Sequence, residues 1–251
     1  MGDGVEARRI GVLGAGVMGG GIAQVLAVAG HEVVCCDISA DALRAGREAI
    51  EDGRFGIRRS IESGRLEAEA GEAALERVTF TEDRDALATS DLVIEAVPER
   101  LDLKISVFRE LDRMVQPAGI LASNTSGFSI GAMAAATDRP ELVIGWHWAS
   151  PAPVMKLAEI VRAPQTSDET VRVVTSLAAG AGKNPIVVKD QPRTWGHVAN
   201  RVYAAMGREA RRVVEEGLAT AEEVDQLLVD CYRLPVGPLV MSGGATSGWK
   251  Q

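Results

Sequence analysis

A histidine and a glutamate that could move a proton stand close together in the sequence. His147 lies in the stretch GWHWASPAPVMKLAEI, and Glu159 follows twelve residues later, across a turn with two prolines. If 141–148 and 155–162 form an antiparallel hairpin centred on Pro153, the two side chains lie opposite each other on one face. A carboxylate beside an imidazole raises its basicity and fixes its tautomer. The pair could act as a general base that removes a hydroxyl proton while hydride leaves the same carbon.

The other histidines leave an alternative open. The chain has three histidines, and a histidine at a strand end is more often structural than catalytic. His197 is the main rival, since it too lies beyond the last strand of the first predicted domain. His31 follows the first helix, at the sheet edge away from the glycine turn described next. Location favours His147, because ligands of open α/β sheets bind beyond the carboxyl ends of strands.

A glycine-rich turn follows the first predicted strand and opens a helix. Gly14, Gly16 and Gly19 form G-x-G-x-x-G, which allows a tight turn, a close approach to a pyrophosphate and close packing of helix on strand. Asp37 ends the next strand at the spacing of an acid that binds a ribose 2′-hydroxyl. A glycine-rich packing turn is the alternative. The complete strand–turn–helix–strand context favours NAD, and the acid would repel the 2′-phosphate of NADP.

The elements around these residues alternate along the first three quarters of the chain. Strands are indicated at 10–13, 32–36, 90–97, 119–123, 141–148, 156–161 and 185–189, and helices at 17–29, 40–62, 66–76, 101–115, 129–136 and 168–182. This alternation predicts an α/β fold with a Rossmann-type, doubly wound and mostly parallel sheet.

The pattern changes after KDQPRTW (189–195), where only helices are indicated. One covers 196–216 and another begins with the capping box Thr220-x-x-Glu223, while the tail from Leu234, rich in Gly and Pro, indicates a loop. We therefore predict an NAD-binding domain over 1–191 and a small all-helical domain over 192–251, on the dimer and substrate side.

Composition excludes several classes of protein. The 251 residues carry a net charge of −8, which argues against a nucleic-acid partner, since phosphate backbones need clustered Lys and Arg. The three cysteines are too few for a disulfide framework and show no zinc spacing. The sequence has no apolar run of membrane-spanning length and no signal-peptide pattern. We expect a cytoplasmic protein with reduced thiols and no metal.

Several motifs in order resemble one family. GVLGAGVMGGGIA, DLVIEAVPE, LASNTSG and GWHWASPAPVMKLAEIV resemble the L-3-hydroxyacyl-CoA dehydrogenases, above all the 3-hydroxybutyryl-CoA group, over about residues 8–240. The resemblance implies an NAD-dependent oxidoreductase of fatty acid metabolism that oxidises the 3-hydroxyl of an acyl-CoA to a 3-keto group.

The resemblance also implies roles for individual residues. His147 and Glu159 match the family's catalytic pair, Ser126 its active-site serine and Asn200 the asparagine that opens the first helix of the second domain. The hydroxyl of Ser126 and the amide of Asn200 could donate hydrogen bonds to substrate oxygens. Two bland alternatives remain: Ser126 caps the following helix, and Asn200 is an exposed residue in a first helical turn.

The resemblance also suggests which charged residues contact the cofactor and the substrate. Glu99 and Lys104 match residues of the family that contact NAD. Arg47, Arg54 and Arg58 lie roughly on one helix face, and Arg54 and Arg58 are candidates for the phosphates of coenzyme A. Since Glu51 lies between them, a solvated face with i,i+4 ion pairs is the alternative.

Three departures from the family pattern bear on substrate and assembly. Ser150 replaces the asparagine that usually stands three residues after the catalytic histidine, PRTWGHVANR is three residues longer than the family pattern, and the family continues into further helices. The homodimer that the resemblance implies would thus use a shortened helical domain. Trp146 and Trp148 add bulk beside His147 and are expected to narrow the acyl pocket toward short chains.

Two other functions stay open. One is a dehydrogenase of a free 3-hydroxy acid such as gulonate, because the chemistry at C3 is the same. The other is a nucleotide-binding relative without turnover. The joint presence of Ser126, His147, Glu159 and Asn200 favours the enzyme.

Overall fold

A computed structural model describes residues 9–244 of the chain, and its first unit is built on one sheet. The strands are β1 (Arg9–Leu13), β2 (Glu32–Cys36), β3 (Val78–Thr81), β4 (Leu92–Glu95), β5 (Ile120–Ser123), β6 (Val143–Trp148), β7 (Leu157–Arg162) and β8 (Asn184–Lys189). Their order in the sheet is β3-β2-β1-β4-β5-β6-β7-β8. All neighbours pair in parallel except β6 and β7, which form an antiparallel hairpin.

Helices cover both faces of this sheet. They are α1 (Val17–Val28), α2 (Ala40–Glu51), α3 (Ile57–Glu62), α4 (Ala68–Glu76), α5 (Leu101–Met114), α6 (Ile130–Ala134) and α7 (Asp168–Gly180). The apolar core on one face of the sheet contains residues of α1, α2, α3, α4 and α7, and the core on the other face contains residues of α5 and α6. The central strands are buried throughout, as expected when helices cover both faces. The predicted doubly wound, mostly parallel α/β sheet is confirmed.

The structure differs from the sequence prediction at two elements of this unit. The helix predicted over 40–62 is divided into α2, which ends at its C-cap Asp52, and α3, which begins after its N-cap Gly56. Gly53 and Gly56 lie at the break, and glycine has a low helix propensity. Strand β3 was missed. It is short, and only Val78 among its four residues is buried, so its apolar pattern is weak.

The second unit is helical. Contacts divide the chain into one compact unit up to Trp195 and another from Gly196, a few residues beyond the predicted boundary. Its helices are α8 (Val198–Glu215), α9 (Ala221–Tyr232), which begins with the predicted capping box at Thr220, and α10 (Pro238–Gly244).

Helix α10 corrects the prediction that the tail from Leu234 is a loop. Asp225 of α9 accepts hydrogen bonds from the backbone N–H groups of Leu239 (2.7 Å) and Val240 (2.9 Å). A carboxylate that binds N–H groups at a helix start stabilises the helix, and Pro238 suits the first helical position. The part of the predicted loop from residue 245 onward lies outside the described residues.

Candidate active site

The hairpin of β6 and β7 brings His147 and Glu159 together. The register pairs these two residues directly, in agreement with the hairpin predicted around Pro153. His147 Nδ1 lies 2.9 Å from Glu159 Oε2, and the two residues are only 5% and 3% exposed. Because a carboxylate only accepts hydrogen bonds, this contact assigns the proton of the neutral ring to Nδ1 and makes Nε2 its acceptor. That tautomer is the one a general base requires.

The two tryptophans of β6 lie on the opposite face of the sheet from His147. Successive side chains of a strand alternate between faces, and Trp146 and Trp148 belong to the buried core with α1 and α7. Their rings stack at a centroid distance of 5.0 Å. The expectation that they narrow the acyl pocket beside His147 was therefore wrong.

The turn after β5 carries Ser126 to the same edge of the sheet. Glu99 Oε1 accepts hydrogen bonds from Thr125 Oγ1 (2.6 Å) and from the backbone N–H of Ser126 (2.9 Å). Asn124 Oδ1 accepts one from the backbone N–H of Trp148 (3.0 Å). The turn is thereby held to the end of β6, next to the strand position of His147.

Ser126 does not cap the helix that follows, so that alternative is wrong. The N-cap of α6 is Ser129, whose side chain accepts a hydrogen bond from the N–H of Ala132.

A buried ion pair lies beneath this turn, and it was not found in the sequence. Glu95 ends β4 and accepts hydrogen bonds from Lys104 Nζ, Ser123 Oγ and the N–H of Val97, each at 2.7 Å. Burial raises the pKa of the Glu95 carboxyl, and the Lys104 ammonium opposes that rise. The available signal was a single acid at the end of the apolar strand LVIE.

Lys104 is closed off by protein acceptors. It is 1% exposed, and its ammonium lies 2.7 Å from Glu95 Oε1, 3.1 Å from the carbonyl oxygen of Val97 and 3.2 Å from Glu99 Oε2. An ammonium has three N–H donors. Two of them donate to Glu95 and to the carbonyl oxygen of Val97, and the Glu99 carboxylate forms an ion pair with the same ammonium.

The glycine turn has the shape that a dinucleotide site requires. Gly14 has a φ of +109°, a conformation that disfavours side chains, and a Cβ at Gly19 would lie 1.7 Å from the carbonyl oxygen of Gly14. A Cβ at Gly16 would meet no heavy atom within 4 Å, and no side chain caps the start of α1 there. The turn thus offers open space and N–H groups to a pyrophosphate, and the residues present fit NAD.

Asp37 supports this turn from the end of β2. Its carboxylate accepts hydrogen bonds from the N–H of Ala15 (2.8 Å) and of Ser39 (3.0 Å), and its side chain is partly exposed. The position is that of an acid beside the first strand, where a ribose would lie.

The candidate arginines have partners within the first unit. Arg58 lies 2.7 Å from Asp52 and 3.7 Å from Glu51. Arg47 lies 3.9 Å from Glu51, and Arg54 stacks on the ring of Phe55. These contacts favour the ion-paired surface over a phosphate site.

Asn200 and His197 lie in the second unit. Asn200 is in the first turn of α8, and His197 is the N-cap of that helix and is buried. His31 lies in the turn between α1 and β2.

Metal and thiol chemistry find no support in the described residues. No cluster of three or more His, Cys, Asp or Glu that could hold a metal occurs among them. Burial raises the pKa of the Cys35 thiol to about 12 and that of Cys36 to about 11, with the Asp37 charge adding to both. These free cysteines therefore stay protonated. Within 9–244, no helix is long and apolar enough to cross a membrane.

Comparison with known proteins gives this geometry a context. The sequence profile of the 3-hydroxyacyl-CoA dehydrogenase NAD binding domain matches residues 9–191, and that of the C-terminal domain matches 196–249. A 3-hydroxybutyryl-CoA dehydrogenase of Mycobacterium tuberculosis is 40% identical over 94% of this chain and 81% of its own length. The 3-hydroxyadipyl-CoA dehydrogenase of Escherichia coli is 40% identical over 95% of this chain but 49% of its own length.

A solved structure is similar in three dimensions. The crystal structure of (S)-3-hydroxybutyryl-CoA dehydrogenase from Ralstonia eutropha superposes with a TM-score of 0.88 at 40% identity. The match covers 94% of this chain and 81% of that one.

Proposed function

This chain belongs to the 3-hydroxyacyl-CoA dehydrogenase family, and from that premise we propose that its His147–Glu159 pair removes the proton of the substrate 3-hydroxyl. The family is one of NAD-binding oxidoreductases of fatty acid metabolism, and the chain is an NAD-dependent 3-hydroxyacyl-CoA dehydrogenase. The 2.9 Å contact between His147 Nδ1 and Glu159 Oε2 carries the proposal.

The proton leaves the 3-hydroxyl for Nε2 of His147 as the C3–H bond breaks. The positive charge that forms on the ring is stabilised by Glu159, which also keeps the ring in its orientation. NAD, when bound, supplies the nicotinamide that accepts the hydride. The products are the 3-ketoacyl-CoA, the reduced cofactor NADH and a protonated His147, which returns its proton to water.

Ser126 is proposed to orient the substrate. Its backbone is fixed by Glu99, so its hydroxyl can donate to a substrate oxygen from a preset position. A hydrogen bond from the amide of Asn200 to the substrate, which the family resemblance implies, remains a prediction.

The cofactor residues divide by chemistry. We propose that Gly14, Gly16 and Gly19 receive the pyrophosphate, and that Asp37 binds the adenosine ribose. Glu99 is the proposed contact on the nicotinamide side, and Lys104 acts by holding Glu99, since its buried ammonium is paired with the carboxylates of Glu95 and Glu99.

Substrate size, assembly and location are further parts of the proposal. A short acyl chain is supported by the relatives named 3-hydroxybutyryl-CoA dehydrogenase. A homodimer and a cytoplasmic location remain predictions. Coenzyme A contacts at Arg54 and Arg58 also remain a prediction, although the contacts of these side chains within the protein favour an ion-paired surface.

Turnover of 3-hydroxybutyryl-CoA with NAD by His147→Ala tests the proposed base. We expect the rate to fall by about 10²–10⁴-fold, the usual contribution of general base catalysis, while the Kd for NAD stays unchanged. His31→Ala is the matched control and His197→Ala tests the rival. Full activity of His147→Ala would contradict the assignment. A loss of the expected size in His197→Ala, with His147→Ala still active, would assign the base to His197 instead.

The substrate class is tested by wild-type protein with the thioester and with free 3-hydroxybutyrate or gulonate. Oxidation of the thioester alone is expected. Preference for a free acid would support the alternative dehydrogenase, and NAD binding without turnover of any of them would support the silent relative.

A further inference from the structure

Two lysines connect the loop of the catalytic hairpin to the turn before β8. The loop, residues 149–156, is called the hairpin loop. Lys183 Nζ donates hydrogen bonds to the carbonyl oxygens of Ala152 (2.6 Å) and Met155 (2.9 Å), both in this loop. In return, Lys156 Nζ donates to the carbonyl oxygen of Gly182 (3.1 Å). These three bonds are called the lysine clasp, and the N–H of Asn184, which donates to the carbonyl oxygen of Lys156 (2.7 Å), adjoins it.

Lys183 is an unusual residue for such a position. It is 6% exposed, and its two hydrogen-bond acceptors in the described structure are backbone carbonyls rather than carboxylates. Its ammonium lies 5.4 Å from the ring of Trp148. Burial lowers the pKa of Lys183 to about 8, and repulsion from Lys156 adds to the decrease. Burying the Lys183 ammonium beside carbonyl groups rather than a carboxylate lowers the free energy of unfolding. Proteins accept such a local loss of stability mainly at sites where function needs a fixed geometry.

The hairpin loop lies next to both the proposed catalytic pair and helix α1. It begins directly after β6, which carries His147, at the carboxyl edge of the sheet. It also touches α1: a Cβ at Gly21 would lie 3.2 Å from the Cβ of Ala152 and 3.3 Å from Cδ of Pro153. The loop is therefore packed between the catalytic hairpin and the helix whose start is the proposed pyrophosphate site.

The loop has few bonds of its own. The N–H groups of Val154 and Met155 both donate to the carbonyl oxygen of Pro151, which closes a tight turn. That turn gives the loop its shape. The clasp attaches it to the rest of the unit, and charge-assisted hydrogen bonds are the stronger kind.

We propose that Lys183 is a positioning residue that holds the hairpin loop against α1, and thereby keeps the reacting end of the hairpin in place beside the bound dinucleotide. The attachment itself stands on the contacts of Lys183. Its consequence for catalysis rests on the proposed function.

Hydrogen exchange tests the attachment without any substrate. In Lys183→Met, amides of the hairpin loop should exchange at least about tenfold faster, because the hydrogen bonds that oppose local opening of the loop are lost. Amides of β1 and α1 should keep their wild-type exchange rates. Lys156→Met, which removes the single exposed bond, should give a smaller increase. Lys189→Met, an exposed lysine at the end of β8, is the matched control and should match the wild type.

The outcomes of this experiment are decisive. Unchanged exchange of the loop in a folded Lys183→Met protein would overturn the proposal. If that variant does not fold, Lys156→Met decides, and loop exchange at the wild-type rate would overturn it.

Kinetics test the positioning role. In Lys183→Met we expect kcat for 3-hydroxybutyryl-CoA to fall about tenfold, because small displacements of reacting groups are costly. The KM for NAD should change less than about twofold, since hydrogen bonds of Gly14 and Ala15 hold the glycine turn independently of the loop. An unchanged kcat despite a loosened loop would overturn the positioning role.

The two arms separate the possible failures. If the wild type oxidises no hydroxyacyl thioester, the proposed function fails, whereas the exchange experiment still decides whether Lys183 holds the loop.

Discussion

At the scale of single residues, Lys104 shows how burial changes the role that sequence suggests. The family resemblance implies a contact with NAD, but the ammonium lies against the carboxylates of Glu95 and Glu99 and the carbonyl oxygen of Val97. The same ion pair extends through Glu95 to Ser123 below the turn of Ser126. A charge that looks available in the sequence is thus engaged in holding the site together.

Removal of this ammonium should destabilise the protein strongly. Lys104→Met leaves the Glu95 carboxylate buried without its cation, and we expect a loss of about 3–5 kcal/mol in the free energy of unfolding. Denaturant unfolding measures it, with Arg113→Met, an exposed cation on the same helix, as control. The double variant Glu95→Gln/Lys104→Met should recover part of the loss, because the uncompensated charge is gone. A Lys104→Met protein as stable as the control would contradict the buried pair.

At the scale of elements, two glycines of the glycine turn have different roles, one in folding and the other in the proposed binding of NAD. Gly19 is required because a Cβ there would overlap the carbonyl of Gly14, whereas Gly16 faces open space. Gly19→Ala should therefore lower the melting temperature. Gly16→Ala should fold like the wild type but weaken NAD binding by about tenfold, since the methyl group occupies the approach of the pyrophosphate. Thermal unfolding and NAD titration of both variants check this, and normal affinity in Gly16→Ala would remove the turn from the cofactor site.

The lysine clasp predicts a pH dependence for the elements it joins. Lys183 has a folded pKa of about 8 against 10.5 for a free lysine, so between these values the unfolded chain holds a proton that the folded chain has released. Stability from this group therefore rises with pH across that window. The difference in unfolding free energy between wild type and Lys183→Met should increase in favour of the wild type as pH rises. Lys156→Met should raise the lower limit of this window, because it removes a repulsion that lowers the folded pKa of Lys183. A pH-independent difference would contradict the assignment.

At the scale of the whole molecule, the chain forms two compact units that carry different proposed functions. Gly14, Gly16, Asp37, Ser126 and the His147–Glu159 pair all belong to the first unit, and Asn200 belongs to the second. Each unit has its own internal bonds. In the second, Asp225 attaches α10 to α9.

Loss of the bonds between Asp225 and α10 should lower the free energy of unfolding without changing the affinity for NAD. Asp225→Ala removes the acceptor of two N–H groups, and we expect a loss of about 1–2 kcal/mol, as for other helix caps. The Kd for NAD should match the wild type, because the proposed cofactor residues lie in the other unit. Gln226→Ala, on the same helix, is the control. A large change in NAD affinity would show that the units are coupled.

The sequence by itself determined the parts of this protein that depend on local periodicity. Alternating elements and the G-x-G-x-x-G spacing predicted the doubly wound sheet and its cofactor turn, and symmetry about Pro153 predicted the partner of His147, because a hairpin pairs residues at equal distances from its turn. Only the tertiary structure decided what depends on contacts between distant segments. The Glu95–Lys104–Ser123 network joins β4, α5 and β5, the lysine clasp joins two turns, and Asp225 makes a helix of a predicted loop. The position of Trp146 and Trp148 behind the sheet belongs here too. Burial and hydrogen bonding between such segments follow from packing, which no local pattern of residues encodes.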